Sequence, residues 1–240
     1  MNRGKTTTGS DDEPSPGAQK NLQYDRETIA VMERCLQHHS LCIDGGAHRG
    51  DLLKEMFRIA PGGRHYAFEP LPRLARQLRR DFPDARVRQQ ALGKAADRAE
   101  FLHVENDPGY SGLKAREYDR PDPVIRTLSV DVVRLDDVIP REDQPAFIKL
   151  DLEGGEYDAL LGAQGVIDRA RPLIVFEAGA RSTGRYGVSP SQLFELFDTK
   201  LDYRLTTMER WLAGQRAFDQ DEFLAIYDAE FFYLGEPRGQ

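Results

Sequence analysis

The stretch LCIDGGAHRG, residues 41–50, runs from a short apolar segment through an acid into a glycine-rich turn. Leu52, Leu53, Met56 and Phe57 then recur at helical spacing. Strand, turn and helix in that order make the opening unit of an open α/β sheet, which places its ligands at the carboxyl ends of its strands. Working outward, Tyr66–Glu69 reads as a second strand, and Pro72–Phe82, with Leu74, Leu78 and Phe82 spaced by four, as a helix opened by proline. Arg86–Gln90 reads as a third strand.

Further along, Ala146–Asp151 (AFIKLD) and Leu173–Glu177 (LIVFE) are short and almost wholly apolar, as buried parallel strands are. A helical pattern through Tyr157, Leu160 and Leu161 between them stops near Gly162. Leu193–Phe197 reads as a helix, and Phe223–Tyr227 with Phe231–Leu234 as an antiparallel strand pair closing the sheet. The expected fold is α/β, a doubly wound and mostly parallel sheet with an antiparallel C-terminal hairpin.

Residues 1–20 are rich in Gly, Ser, Thr, Pro and charge, which predicts a disordered tail. Residues 21–240 are expected to form a single domain. It divides into an N-terminal helix over 21–40 carrying Ile29, Met32 and Leu36 on one face, a core over 41–180, and sheet closure with acceptor loops over 181–240. No apolar run approaches the roughly 20 residues of a membrane span, and the N-terminus holds no signal-peptide core, so the expectation is a cytoplasmic protein with no membrane partner. Cys35 and Cys42 sit in apolar patterns and read as reduced core residues. A net charge of −7, with no basic stripe interleaved with aromatics, argues against nucleic acid as a partner.

Glycines between a strand and a helix let the backbone approach a ligand, although a tight turn requires them for structure alone. Glu69 lies at the end of the next strand, 19 residues beyond Gly50, where a nucleotide-binding sheet puts the carboxylate that meets ribose hydroxyls. A nicotinamide enzyme shares both features. The turn here is not G-x-G-x-x-G, however, because Ala47, His48 and Arg49 separate Gly46 from Gly50. The first strand also ends in Asp44, an acid suited to an ammonium or sulfonium and poorly placed beside a pyrophosphate. No Lys-Ser or Lys-Thr follows, which excludes a P-loop.

The series IDGGAHRG (43–50), YAFEP (66–70), ALG (91–93), LSVDVVRLDDVI (128–139), FIKLDLEGGEYDALLGA (147–163) and PLIVFEAG (172–179) resembles the FkbM family of S-adenosylmethionine-dependent methyltransferases. The resemblance implies a class I methyltransferase fold with a seven-stranded sheet, S-adenosyl-L-methionine as cofactor, and O-methylation of sugars or natural products. It departs at His48, where the family commonly has Asn. It implies a cofactor-binding set of Asp44, Gly45, Gly46, His48 and Gly50 around methionine, Glu69 and Pro70 at the ribose, Ala91 and Leu92 beside adenine, and Asp151 near the methyl group.

Methyl transfer to oxygen needs positioning and a base. The candidate catalytic residues are Glu153 first, then Asp151 and Glu177; His103 reads rather as an outward-facing strand residue. Glu156 is either a third carboxylate of this turn or a charge complementing a helix N-terminus. Asp151 and Glu153 resemble hard metal ligands, but no third ligand is evident, so no metal is expected. The loops 106–126 and 178–189 are expected to build the pocket for a small-molecule or saccharide acceptor through Tyr110, Ser111, Arg181 and Tyr186. Trp211 reads as core or pocket rim. A homodimer stays open. The competing readings are an NAD-dependent oxidoreductase and a methyltransferase fold that binds without catalysing.

Overall fold

The computed structural model describes residues 16–115 and 122–239. Its strands are β1 (Leu41–Gly45), β2 (Tyr66–Phe68), β3 (Arg86–Arg88), β4 (Ala91–Leu92), β5 (Asp97–Val104), β6 (Ile125–Val133), β7 (Pro145–Leu150), β8 (Leu173–Glu177), β9 (Tyr203–Thr206) and β10 (Phe232–Pro237). Its helices are α1 (Pro16–Cys35), α2 (Asp51–Ile59), α3 (Pro72–Asp81), α4 (Leu135–Val138), α5 (Glu156–Leu161), α6 (Gln164–Ala170), α7 (Pro190–Glu195), α8 (Met208–Leu212) and α9 (Gln220–Ile226).

Seven strands form one sheet in the order β3-β2-β1-β7-β8-β10-β9. The first five are parallel, and β10 runs antiparallel to both β8 and β9. Strand order reverses between β1 and β7, so the loops leaving their carboxyl ends diverge to opposite sides and open a crevice between them. Ile43, Ile148, Leu150 and Phe176 pack on one face with α5 and α6, while Cys42, Phe147 and Val175 pack on the other with Met32 and Met56 of α1 and α2. Alternate residues of a strand point to opposite faces. Hence Asp44 follows Cys42, Lys149 follows Phe147 and Glu177 follows Val175 on the second face, which lines up charged side chains at the strand ends.

The antiparallel C-terminal end of the sheet is present, but its members differ from expectation. Phe223–Tyr227 belongs to helix α9, not to a strand. Asp219 caps that helix, accepting a hydrogen bond from the Glu222 amide while Glu222 bonds back to the Asp219 amide, a capping box that overrides the β propensity of Phe, Ile and Tyr. Pro237 to Phe232 pair instead with β9 and β8.

The N-terminal helix also begins earlier than expected. Residues 16–20 are helical rather than part of a tail, with Pro16 at the first position and the Lys20 ammonium bonded to the Ala229 carbonyl. Residues 1–15 of that expected tail lie outside the described residues.

A second, three-stranded sheet, β4-β6-β5, was not anticipated. Eight residue pairs join β5 and β6, so the stretch expected to be irregular from 106 already enters a strand at Ile125. Residues 116–121 of that loop lie outside the described residues. Among the described residues no helix is long and apolar enough to cross a membrane.

Gly162, which caps α5, couples the two sheets. Its carbonyl accepts from the Asp136 amide at 3.0 Å, and a Cβ at this position would lie 2.1 Å from the Gly93 carbonyl oxygen beyond β4. Backbone on both sides leaves no soft partner to yield. The Gly162→Ala variant is therefore expected to lose about 1–3 kcal/mol, seen in thermal melts as roughly 2–4 °C per kcal/mol for a chain of this size.

Candidate functional site

The crevice above β1 and β7 is a cleft of about 960 Å³, a volume suited to a cofactor together with a small acceptor. Its floor is the row of charged strand ends. Asp44 is only 1% exposed and Lys149 5%. The Lys149 Nζ lies 3.5 Å from Asp44 Oδ1 and 3.5 Å from Asp151 Oδ2, and it donates to the Gly46 carbonyl at 3.1 Å. Burial disfavours the charged ammonium, but Asp151 and Asp44 hold its proton affinity above the usual range. Burial pushes Asp44 upward, and Lys149 pulls it back.

The turn after β1 approaches β7 closely. Gly46 has φ +75°, and a Cβ there would fall 2.0 Å from the Asp151 carbonyl oxygen, so glycine is required by both conformation and space. His48 is also left-handed, at φ 48°. Its amide donates to Glu69 Oε2 at 2.9 Å, and the Leu71 amide donates to Glu69 Oε1 at 2.8 Å. Glu69 thus joins the glycine turn to the loop leaving β2. Burial raises it to about 7, against the pull of those two amides and Lys149. Burial, with Arg49 and Lys149 nearby, lowers the His48 imidazole, which favours its neutral form.

On the other wall the chain leaving β7 makes a tight turn, with Glu153 at φ 55° and Gly154 at φ 103°. A non-glycine residue at positive φ persists only where its surroundings impose it. Here Glu156 does so: its Oε1 accepts from the Leu152 amide at 2.6 Å and the Gly154 amide at 3.3 Å, while Oε2 has no hydrogen-bond partner among the described residues. Fully buried and absent from the cleft wall, Glu156 shapes the turn from behind.

Of the residues expected at the site, Asp44, Gly46, His48, Glu69, Pro70, Ala91, Leu92, Asp151, Glu153 and Glu177 line the cleft, as do Tyr110, Ser111 and Arg181. Gly45 and Gly50 do not. Gly45 packs against Leu150 and Leu92, and Gly50, at φ +87°, faces Phe82 and Leu78, so its role is the close seating of α2 on α3. Tyr186 is a further correction. It lies behind the turn, its ring edge 2.7 Å from where a Gly154 Cβ would be and Lys114 over its face at 4.5 Å.

His103 sits on β5 with Nδ1 3.3 Å from Ser111 Oγ and is not a lining residue. Trp211 is partly buried against α1, its Nε1 donating to Glu236 at 3.0 Å, away from the cleft. Two sets of lining residues were missed. Lys20, Tyr24, Asp25 and Thr28 come from α1, which roofs the cleft, and Lys149 from β7. A lysine inside the apolar run AFIKLD was the available signal, since such a residue is almost never fully buried without partners.

The two buried acids have a measurable consequence for stability. Glu156 is raised from the usual 4.5 to about 8, chiefly by burial. Its folded value exceeds its unfolded one, so its contribution is complete below about pH 4.5 and is lost as pH rises through about 8; Glu69 adds in the same direction up to about 7. Glu156→Gln keeps the acceptor for Leu152 and Gly154 without the charge. In paired melts from pH 5 to 9 its Tm is expected to fall less than that of the unaltered chain, and a parallel decline would contradict this account.

The chain matches the family profile described as the methyltransferase FkbM domain over residues 44–205. Among solved structures, the methyltransferase FkbM from Methylobacillus flagellatus KT is similar with a TM-score of 0.53 at 20% identity, over 91% of this chain and 51% of that one. The chain therefore spans about half the length of that relative. An rRNA-methylase candidate from Clostridium thermocellum is similar with a TM-score of 0.51 at 7% identity, over 90% of this chain and 97% of that one. At such identities these likenesses are ones of fold. No curated protein matches the chain. The match over most of the described core sets aside the nicotinamide reading: the chain belongs to the FkbM family of methyltransferase domains, whose cofactor is S-adenosyl-L-methionine.

Proposed function

We propose that this domain methylates a hydroxyl group of a sugar or small natural product. The observation that carries the proposal is the Glu153 turn. It brings a carboxylate to the cleft wall beside Asp151, opposite the glycine turn, in a strained conformation that the fold has to impose. Bound cofactor supplies an electrophilic methyl on a sulfonium, and an oxygen acceptor then needs little beyond alignment and removal of its proton.

The residues present fit that cofactor. Asp44 Oδ1 is buried with the Lys149 ammonium 3.5 Å away as its ion partner, His48 Nε2 is buried without a hydrogen-bond partner among the described residues, and both belong to cleft-lining side chains. They suit the cofactor's ammonium and carboxylate respectively. Glu69 and Pro70 are assigned to the ribose, Ala91 and Leu92 to the adenine. Asp151 serves Lys149 as an ion partner; Glu153, on the cleft wall beside it, is assigned as the base, with Glu177 as the remaining candidate. Acidic side chains outnumber Lys and Arg eight to three among the described lining residues. A polyanionic acceptor is disfavoured in such a field, whereas neutral hydroxyl groups are not penalised. Tyr110 and Arg181 offer donors to a polyhydroxylated acceptor.

The test is incubation of the full chain with S-adenosylmethionine and a panel of sugars, hydroxylated small molecules and RNA oligonucleotides, read by mass spectrometry for added methyl groups. Methylation of RNA alone, or cofactor binding without product on any hydroxyl compound, refutes the proposal; the latter favours a binding protein. Glu153→Gln is expected to lower kcat by roughly 10²–10⁴ while cofactor affinity holds. Asp44→Asn is expected to weaken cofactor binding by about 1.5–3 kcal/mol, the range of hydrogen bonds to charged groups, measured by calorimetric titration.

A further inference from the structure

Lys149 is a charged residue that the reaction itself does not call for, placed in a central and largely buried strand of the sheet. An apolar residue would fill the site at less cost in desolvation, because a buried ion group of this kind is seldom a net source of stability. Its location points to a role in the cleft. In the parallel register Lys149 pairs with Asp44 on β1 and Val175 on β8, so its side chain rises on the face where the strand ends carry their acids. Its three contacts join the three parts of the cofactor floor: the end of β1 through Asp44, the glycine turn through the Gly46 carbonyl, and the end of β7 through Asp151.

We propose that Lys149 is a positioning residue for the cofactor, whose ammonium separates Asp44 from Asp151 and leaves the pair one net negative charge to meet the cofactor's methionine end. The inference rests on the assignment of this cleft to S-adenosylmethionine. Without a cation beside it, Asp44 favours its protonated form, since its burial and the negative charge of Asp151 both oppose ionisation. Capture of the cofactor's ammonium would then require that proton to leave. With Lys149 in place, the acid that meets the ammonium is already charged.

The other groups facing this centre act in the same field: Asp25 from α1, Asp51 from α2, His48 and Arg49 in the glycine turn, and Glu69 beyond β2. Asp25 and Asp51 add negative charge and raise the demand for a counter-ion. Lys149 also lowers Glu69, so its removal raises that acid further; this change is common to the single and the double variant, and the comparison between those two isolates the Asp44–Asp151 pair.

The experiment titrates the full chain, Lys149→Met, and the double variant Lys149→Met with Asp151→Asn, using S-adenosylhomocysteine in a calorimeter from pH 6 to pH 9. Lys149→Met is expected to bind at least about tenfold more weakly than the unaltered chain at pH 6 and to recover as pH rises, at up to about tenfold per pH unit. Buffers of different ionisation enthalpy should reveal proton release on binding to Lys149→Met beyond that of the unaltered chain. The double variant, which removes the repelling neighbour, is expected to regain most of the lost affinity at pH 6. A deficit that is equal at every pH, or a double variant as weak as the single one, overturns the proposal and leaves Lys149 a packing residue. If melting shows Lys149→Met to be unfolded, Lys149→Gln retains a donor for the Gly46 carbonyl and carries the same expectations. Failure of the unaltered chain to bind S-adenosylhomocysteine would instead overturn the cofactor assignment beneath it.

Discussion

An ammonium on β7 lies 3.5 Å from a carboxylate on β1 and 3.5 Å from another at its own strand's end, with the carbonyl of Gly46 as its third neighbour. The ammonium and the β1 carboxylate are buried deeply, and such ions are costly unless each is matched. The fold can keep them only by fixing β1 and β7 side by side and holding the glycine turn against the end of β7. The same contacts therefore set the spacing of the cleft floor and its charge. They occur where strand order reverses, the one place in a parallel sheet where both flanking loops turn away and leave the strand ends open.

The two walls rising from that floor are built on a common plan. Each is a turn containing a non-glycine residue at positive φ, His48 on one side and Glu153 on the other. Each is held by a buried glutamate whose carboxylate accepts backbone amides, Glu69 for the first and Glu156 for the second. Such turns are strained when isolated, and the glutamates offset the strain with hydrogen bonds that the turns' amides would otherwise lack. The rigidity that results suits a reaction in which alignment supplies much of the acceleration.

The family match begins at Asp44, yet the roof of the cleft comes from α1, ahead of it. Tyr24 donates to Glu230 at 2.8 Å, and its hydroxyl accepts from the Phe231 amide at 3.1 Å, tying the helix to the loop before β10. The floor and both walls lie within the matched residues, whereas the roof is contributed by a segment ahead of them.

What the sequence determined by itself is the series of strands and helices around residues 41–82 and 146–177, and with it the order of the acids at the strand ends. Those segments are buried on both faces or amphipathic with clear periods, so their patterns depend little on the rest of the chain. The row Asp44, Glu69, Asp151 and Glu177 was legible for the same reason, because a strand's alternation fixes which residues face the cleft. Only the tertiary structure decided that Lys149 stands among those acids, that Glu156 and Tyr186 act from behind the wall, and that α1 covers the opening. These are contacts between residues remote in the chain, and no local period encodes them. The same holds for α9, where an apolar run suited to a strand became a helix once its cap and its packing against the core prevailed over propensity.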